Sequence, residues 1–176
     1  LVCYGNILHE LEVTGQSGKI QALKGCKETY SNQQSTKLIE SPQARNIVKL
    51  AKKAKEPLYI LSLGAISNVA SALQIDPSIK SKIVVVWLGA NCMDWKTIGE
   101  FNINQDYMAA QMVINSGVPF VLLPAFGQDE KGSHVLTATN KDILSIQGDN
   151  LAGRYFREDL PRAFYGAPTE WQRIVW

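Results

Sequence analysis

Acidic and amide side chains cluster in one short stretch, Glu100-Phe101-Asn102 followed by Asp106. A carboxylate and a carboxamide two residues apart in an extended loop point the same way, with Phe101 turned into the core between them. Together they offer hydrogen-bond acceptors and donors suited to neutral hydroxyl groups, such as those of a sugar. The alternative is that Glu100 and Asn102 only satisfy the backbone of their loop. Asp106 lies where a helix from Tyr107 begins, so helix capping accounts for it better than catalysis.

Three apolar runs, residues 58–63, 83–88 and 118–123, are the elements that would position these side chains. Each is short, and the first two end in glycine-bearing polar turns, which predicts neighbouring strands of a parallel sheet buried on both faces. In such a sheet, ligands bind beyond the carboxyl ends of the strands. The predicted rim consists of Ser67, Asn68, Asn91, Asp94, Glu100 and Asn102.

Strands alternating with helices predict right-handed βαβ units. Ser41 followed by Pro42 predicts a helix start, and the helix should run to about Lys55. Its buried stripe would consist of Ala44, Ile47, Val48, Leu50, Ala51 and Ala54. The fold class is therefore α/β: a doubly wound, mainly parallel sheet with helices on both faces, in a single domain over residues 1–176.

The flanking segments are less patterned. Residues 1–6 and 19–23 are interpreted as strands, residues 7–13 as a short helix, and residues 27–41 and 125–133 as loops. A helix capped by Thr139 or Asn140 would carry Ile143, Leu144, Ile146 and Leu151 and continue to Phe156. Residues 172–176 are interpreted as a strand or a helix.

Composition narrows the functional classes. The 176 residues are 45% hydrophobic and 19% charged, with a net charge of +2, which fits a globular protein without a nucleic-acid partner. No apolar run approaches the roughly 18 residues of a membrane span. Cys3, Cys26 and Cys92 lie far apart, which points to a reducing compartment and a cytoplasmic location. The chain begins with Leu1 rather than Met, so we expect that its true beginning lies upstream.

Ser67 has two interpretations. Its side chain is predicted to cap the following helix. Its main-chain carbonyl would be available to a hard cation, because calcium accepts backbone oxygens as well as carboxylates.

Three ordered motifs resemble the inosine-uridine preferring nucleoside hydrolases. They are Leu61-Ser62-Leu63-Gly64-Ala65-Ile66-Ser67-Asn68-Val69-Ala70, then Val86-Trp87-Leu88-Gly89-Ala90, then Glu100-Phe101-Asn102 with Asp106 and Ala109-Ala110. The family shows a G-P-L-T-N-hydrophobic-A turn, an M-G-G turn and an A-E-F-N-x-x-x-D-P-x-A-A segment in this order. The resemblance is close over residues 42–124 and looser on either side.

The resemblance implies roles for individual residues. The family's glutamate and asparagine on the ribose 5′-hydroxyl side fall on Glu100 and Asn102. Its calcium-ligating threonine, which uses a main-chain oxygen, falls on Ser67. Two ribose-side asparagines fall on Asn6 and on Asp94, and the methionine of M-G-G falls on Leu88. Aspartate at 94 and leucine at 88 are departures from the family pattern.

The implied activity is calcium-dependent hydrolysis of the N-glycosidic bond of a ribonucleoside, giving ribose and free base, as in purine and pyrimidine salvage. The family's opening D-x-D-x-x-x-D-D cluster, which supplies the general base and most calcium ligands, does not occur here, so no catalytic residue is identified. We therefore expect a family domain that is incomplete at both ends. The alternative is a catalytically inactive domain that keeps the scaffold or a sugar-binding pocket, and an unrelated doubly wound α/β enzyme is a third hypothesis. Family analogy also implies a homodimer or homotetramer.

Overall fold

The computed structural model describes residues 2–139, 141, 142, 145, 150–155, 157 and 173–175. The chain divides into two compact units, one of residues 23–133 and one of residues 1–22 and 134–176, and each is described by itself. The prediction of one domain over residues 1–176 stays a prediction. Among the described residues, no helix is long and apolar enough to cross a membrane.

A three-stranded parallel sheet organises the unit of residues 23–133. Its strands, in spatial order β1-β2-β3, are β1 (Leu58–Ser62), β2 (Ile83–Leu88) and β3 (Phe120–Leu123). All pairs are parallel, and Val85 of β2 lies opposite Ile60 on one side and Phe120 on the other. The prediction of three neighbouring parallel strands is confirmed.

Helices connect these strands, which confirms the α/β class. The crossover from β1 to β2 contains α4 (Ser67–Ile75) and a 3₁₀ helix (Pro77–Ser81), and the crossover from β2 to β3 contains α5 (Phe101–Gln105) and α6 (Tyr107–Asn115). Two further helices, α2 (Tyr30–Gln33) and α3 (Pro42–Lys53), precede β1.

One face of the sheet forms the core. Ile83, Val85 and Trp87 are buried there together with Ala70 of α4 and Ala109 of α6. The side chains that alternate with this set on β1 point the other way, and Tyr59 and Leu61 are exposed, the latter by 70%. The prediction that β1 is buried on both faces is therefore wrong. An apolar run has the same composition whether or not an element packs against its second face.

Local signals predicted α3 well. Ser41 Oγ accepts a hydrogen bond from Ala44 N at 3.0 Å, and Pro42 is the first helical residue. Ala44, Ile47, Val48 and Ala51 are buried as predicted, but Leu50 is exposed, so its place in the buried stripe was wrong.

The stretch predicted as a surface loop, residues 27–41, contains α2, and Tyr30 at its start is fully buried. This prediction is wrong in that part. An aromatic residue inside an otherwise polar stretch was the available signal.

The unit of residues 1–22 and 134–176 begins with α1 (Val2–Val13). The helix predicted for residues 7–13 is confirmed, whereas the strand predicted for residues 1–6 is wrong, since a short apolar run does not by itself separate helix from strand. Residues 19–23 do not form a strand either.

Later in the chain, β4 (Thr137–Thr139) pairs antiparallel with β5 (Arg173–Val175), which confirms the strand interpretation of the chain end. A short helix, α7, covers Leu151–Arg154. The remainder of the helix predicted up to Phe156, including residues 143, 144 and 146, lies outside the described residues.

Candidate functional site

Asn102 lies in the first turn of α5, at the carboxyl edge of the sheet, and is only 7% exposed. Its Nδ2 donates to the main-chain oxygen of Leu88, at the end of β2, at 2.8 Å. The same nitrogen donates to the main-chain oxygen of Leu63, just past β1, at 3.4 Å. Two carbonyl partners identify this atom as the amide nitrogen and use both of its protons. Asn102 therefore joins the ends of two strands.

The oxygen of the same amide, Oδ1, has no hydrogen-bond donor within the described part of the chain. Buried polar atoms nearly always have a partner. An acceptor on a buried side chain at the carboxyl edge of a parallel sheet fits a donor supplied by a ligand, such as a hydroxyl group.

Glu100 is the N-cap of α5 rather than part of an extended loop. Its Oε1 accepts from Asn102 N at 2.8 Å, and its Oε2 accepts from Ala90 N at 2.9 Å and from Ile103 N at 3.3 Å. The carboxylate thus does what the backbone alternative predicted, and it also ties the turn after β2 to α5. A carboxylate has about four lone-pair sites, so some acceptor capacity remains.

Phe101 is 77% exposed, so the prediction that it turns into the core is wrong. The cause is the helical turn that Glu100 starts. Successive side chains of a helix diverge by about 100°, so Glu100 and Asn102 do not flank an inward-facing Phe101 as they would on a strand.

Asp106 is 1% exposed and caps α6 by accepting from Ala109 N at 3.2 Å, which confirms the capping prediction. Its carboxylate also accepts from Tyr30 N and Ser31 N, both at 3.0 Å, and from Ser31 Oγ at 3.0 Å. These donors belong to the first residues of α2, whose N-terminus favours a negative charge. Asp106 therefore joins α2 to α6, a role with no local sequence signal.

Ser67 is buried and is the first residue of α4. The prediction that its side chain caps the helix is wrong: Ile66 is the N-cap, and Ser67 Oγ donates to Asp106 Oδ2 at 2.5 Å. Its main-chain carbonyl lies in the first helical turn, where helix geometry directs it toward the N–H four residues on. Its role as a calcium ligand stays a prediction.

Asn91 is buried and fully bonded. Its Nδ2 donates to the main-chain oxygens of Thr97 and Gly99 at 3.0 and 2.8 Å, and its Oδ1 accepts from Phe126 N at 3.2 Å. The side chain holds the segment that leads into Glu100 against the segment that follows β3. The predicted rim of Ser67, Asn91 and Glu100 therefore lies at one end of the sheet.

Asp94 is exposed and pairs with Lys131, with 2.6 Å between Oδ2 and Nζ. The hydrogen bond from Lys131 lowers the pKa of the Asp94 carboxyl, and Asp94 in turn raises the pKa of Lys131. Substrate binding by Asp94 stays a prediction, and no sequence pattern pointed to Lys131. The other ribose-side candidate, Asn6, lies in α1, within the unit of residues 1–22 and 134–176, and its side chain is exposed.

A calcium site does not fit the donors that are described. Calcium takes six to eight oxygen ligands. Within the described residues, no group of three or more histidine, cysteine or acidic side chains could hold a metal ion. Ser67 is the single ligand that the resemblance assigns.

The unit of residues 1–22 and 134–176 has its own depression of about 550 Å³. It is lined by Thr14, Gly15, Gln16, Lys19, Asn150, Leu151 and Arg154. None of these residues belongs to the predicted site, and the geometry around Asn102 remains the stronger candidate.

Fold and site together define an α/β protein with a buried amide side chain, that of Asn102, at the carboxyl edge of its parallel sheet. A sequence model of the inosine-uridine preferring nucleoside hydrolases matches residues 5–165, and the chain belongs to this family. The pyrimidine-specific ribonucleoside hydrolase RihA of Escherichia coli O1:K1 is 38% identical over 79 residues. That alignment covers 43% of this chain and 25% of RihA, so the chain matches about a quarter of the length of such curated relatives.

Solved structures agree on the fold. A plant nucleoside hydrolase superposes with a TM-score of 0.66 at 18% identity, covering 97% of this chain and 61% of that one. A purine-preferring ribonucleoside hydrolase from Gardnerella vaginalis gives a TM-score of 0.53 at 23% identity, covering 77% of this chain and 44% of that one.

Proposed function

We propose that this chain holds the ribose of a ribonucleoside for hydrolysis of its N-glycosidic bond, with Asn102 as the principal sugar-binding side chain. Family membership supports the reaction class. The observation that carries the proposal is the Oδ1 of the buried Asn102 side chain, to which no group donates among the described residues. A ribose hydroxyl would donate to it.

The proposed roles of Asn102 and Glu100 follow from the charge that develops when the N-glycosidic bond breaks. N-glycoside cleavage develops positive charge on the sugar ring, in an oxocarbenium-like transition state. Asn102 would orient the ring by accepting from a hydroxyl, and it is itself fixed by Leu63 and Leu88. The half-buried carboxylate of Glu100, placed by three backbone N–H groups, adds negative charge at the same edge.

Calcium dependence and base preference are finer points of the proposal. The resemblance implies calcium, but Ser67 alone cannot supply its ligands, so no step is assigned to a metal. The relatives differ in the bases that their names record, pyrimidine for one and purine for another. We therefore propose a nucleoside substrate without assigning its base.

A second function is a sugar-binding domain that does not hydrolyse nucleosides. The hydrogen bonds of Glu100 favour it, because all three of its partners are backbone N–H groups and it serves as a helix cap. Both functions require ribose binding at Asn102. They differ in whether ribose is released from inosine or uridine.

A titration of the ¹⁵N-labelled chain with ribose, inosine and uridine tests the proposal. We expect the Asn102 side-chain amide signals to shift, and Asn102→Ala to weaken ribose binding about three- to tenfold, the effect of one neutral hydrogen bond. Asn104 is an exposed residue of the same helix, and Asn104→Ala is the matched control with unchanged binding.

Unchanged binding by a folded Asn102→Ala variant would contradict the assignment of the sugar site. A wild-type chain that binds neither ribose nor either nucleoside would contradict both functions. Ribose release, measured on the same samples, then separates the hydrolase from the binding domain.

A further inference from the structure

The loops that follow β2 and β3 run side by side. Ala125 N donates to Ala90 O at 2.9 Å, and Cys92 N donates to Phe126 O at 2.7 Å. The Trp95 and Phe126 rings stack with centroids 5.8 Å apart. We name residues 126–133 the strap.

The inner end of the strap is fixed to the candidate site. Phe126 N donates to Asn91 Oδ1, and the amide of Asn91 holds Thr97 O and Gly99 O, directly before Glu100. Movement of the strap would therefore act on the segment that places Glu100.

The outer end is fixed by exposed polar groups. Lys131 Nζ lies 2.6 Å from Asp94 Oδ2, and Gln128 Nε2 donates to the main-chain oxygen of Asp94 at 2.8 Å. Exposed ion pairs stabilise a fold only weakly and are screened by salt. The ion pair is thus a weak part of the attachment, which also includes the Gln128 contact and the backbone bond from Ser133 N to Pro124 O.

Between these two ends the backbone is strained. Asp129 and Glu130 both have left-handed φ values, 52° and 60°. Aspartate tolerates this region, whereas it is unfavourable for Glu130. Gly132 has a φ of 98°, and a Cβ there would lie 2.6 Å from Ala125 O, so only glycine fits. Any movement of the strap that releases Glu130 from this conformation would relieve its cost.

We propose that the strap is a movable segment latched by Asp94 and Lys131, and that its opening and closing are coupled to ligand binding at Asn102 through Asn91 and the segment before Glu100. A weak exposed contact and a strained turn of similar size leave the open and closed states close in free energy. A ligand that prefers the closed state would then shift the population. The coupling to Asn102 rests on the proposed function, whereas the latch itself does not.

Amide exchange of the ¹⁵N-labelled full chain reports on the strap through two hydrogen-bonded N–H groups, Lys131 N to Gln128 O and Ser133 N to Pro124 O. We expect Asp94→Asn and Lys131→Met each to speed exchange at Ser133 about two- to fivefold, the range for an exposed ion pair. Added salt should speed exchange in the wild type and have no effect in Lys131→Met. Ala54 N, which is bonded within α3, is the internal reference.

A second pair of variants tests the strain. Asparagine tolerates the left-handed region, so Glu130→Asn should slow exchange at Lys131 and Ser133. Glu130→Gln removes the same charge without that tolerance and should leave exchange unchanged. Opposite signs for Asp94→Asn and Glu130→Asn are the expected signature.

Unchanged exchange in both Asp94→Asn and Lys131→Met would overturn the latch. Equal effects of Glu130→Asn and Glu130→Gln on amide exchange would show that the left-handed conformation of Glu130 does not destabilise the strap. Ribose should slow exchange at Ser133, and if ribose shifts the Asn102 amide while Ser133 is unaffected, the coupling is wrong. If ribose does not bind, the proposed function and the coupling fail together, and the variants still decide the latch.

Discussion

Ala90 has a backbone conformation that is unfavourable for alanine. It lies in the turn after β2 with a left-handed φ of 56°, and this backbone aims its N–H at Glu100 while its carbonyl accepts from Ala125 N. The second glycine of the family's M-G-G turn falls on this position, so the chain carries a methyl group where the family avoids one.

Ala90→Gly should therefore stabilise the protein. Relief of the left-handed strain exceeds the entropy that glycine loses on folding, and we expect a gain of about 0.5–1 kcal/mol in the free energy of unfolding by urea titration. Ala54→Gly is the control, because Ala54 has an ordinary φ of −64° and glycine should destabilise there. A loss of stability in Ala90→Gly would show that the strain is absent.

At the scale of elements, a helix defined by neighbouring residues could be predicted from the sequence, whereas a helix held by distant contacts could not. Two adjacent residues, Ser41 and Pro42, define the start of α3, so it could be predicted from the sequence. The four residues of α2 are held by Asp106, which lies about 75 positions away along the chain. Glu100 was assigned to the site from the sequence, but the N–H groups it binds could not be predicted without knowing that α5 is helical.

Replacing Asp106 should destabilise the attachment of α2 more than it destabilises the sheet. Asp106→Ala leaves the buried N–H of Tyr30 and the partly buried N–H of Ser31 without acceptors, each at about 1–3 kcal/mol, so we expect a total loss of about 3–5 kcal/mol. Ser31→Ala removes a hydroxyl that donates to Asp106 and accepts from Met108 N, and it should cost less, about 1–2 kcal/mol. Urea unfolding of both variants measures this. Equal losses would rule out Asp106 as the link between α2 and α6.

An ion pair joins α3 to the 3₁₀ helix of residues 77–81, and it makes a pH-dependent contribution. The hydrogen bond from Lys52, with help from Ser78, lowers the pKa of Asp76 to about 2. A lowered carboxyl pKa stabilises the fold above the unfolded value of about 3.9, and this contribution is lost as the pH falls toward about 2.

Asp76→Asn should flatten that dependence. Between pH 5 and pH 2, the melting temperature of the wild type should fall more steeply than that of the variant, because the variant has no carboxyl to protonate at this position. Lys52→Met should flatten the same region, since it removes the main cause of the shift. Parallel curves for all three proteins would show that other carboxylates govern acid unfolding.

At the scale of the whole molecule, the sheet was predictable and its environment was not. Strand order and direction follow from apolar runs linked by helices, and all three strands are where the sequence placed them. Exposure of Leu61 and burial of Val85 do not follow, because both belong to runs of the same apolar character. What packs on a strand is decided by elements far along the chain.

The core suggests that one unit carries the fold. Every residue of the buried cluster, and each apolar residue packed against it, falls between Tyr30 and Leu122, within the unit of residues 23–133. We expect a fragment of residues 23–133 to unfold in a single cooperative transition, since small units with a common core commonly do. Its Asn102 side-chain amide should keep the chemical shift of the full chain, because Leu63 and Leu88 are both included.

A shorter fragment gives the matched control. Residues 41–133 keep all three strands but remove α2, and with it the Tyr30 and Ser31 donors of the buried Asp106. A buried carboxylate without those hydrogen bonds is strongly destabilising, so this fragment should lose cooperative unfolding while residues 23–133 retain it. Circular dichroism melts and amide spectra of both fragments decide the matter. If both unfold cooperatively, α2 and its bonds to Asp106 are dispensable to the fold, and if neither does, the unit of residues 23–133 depends on the rest of the chain.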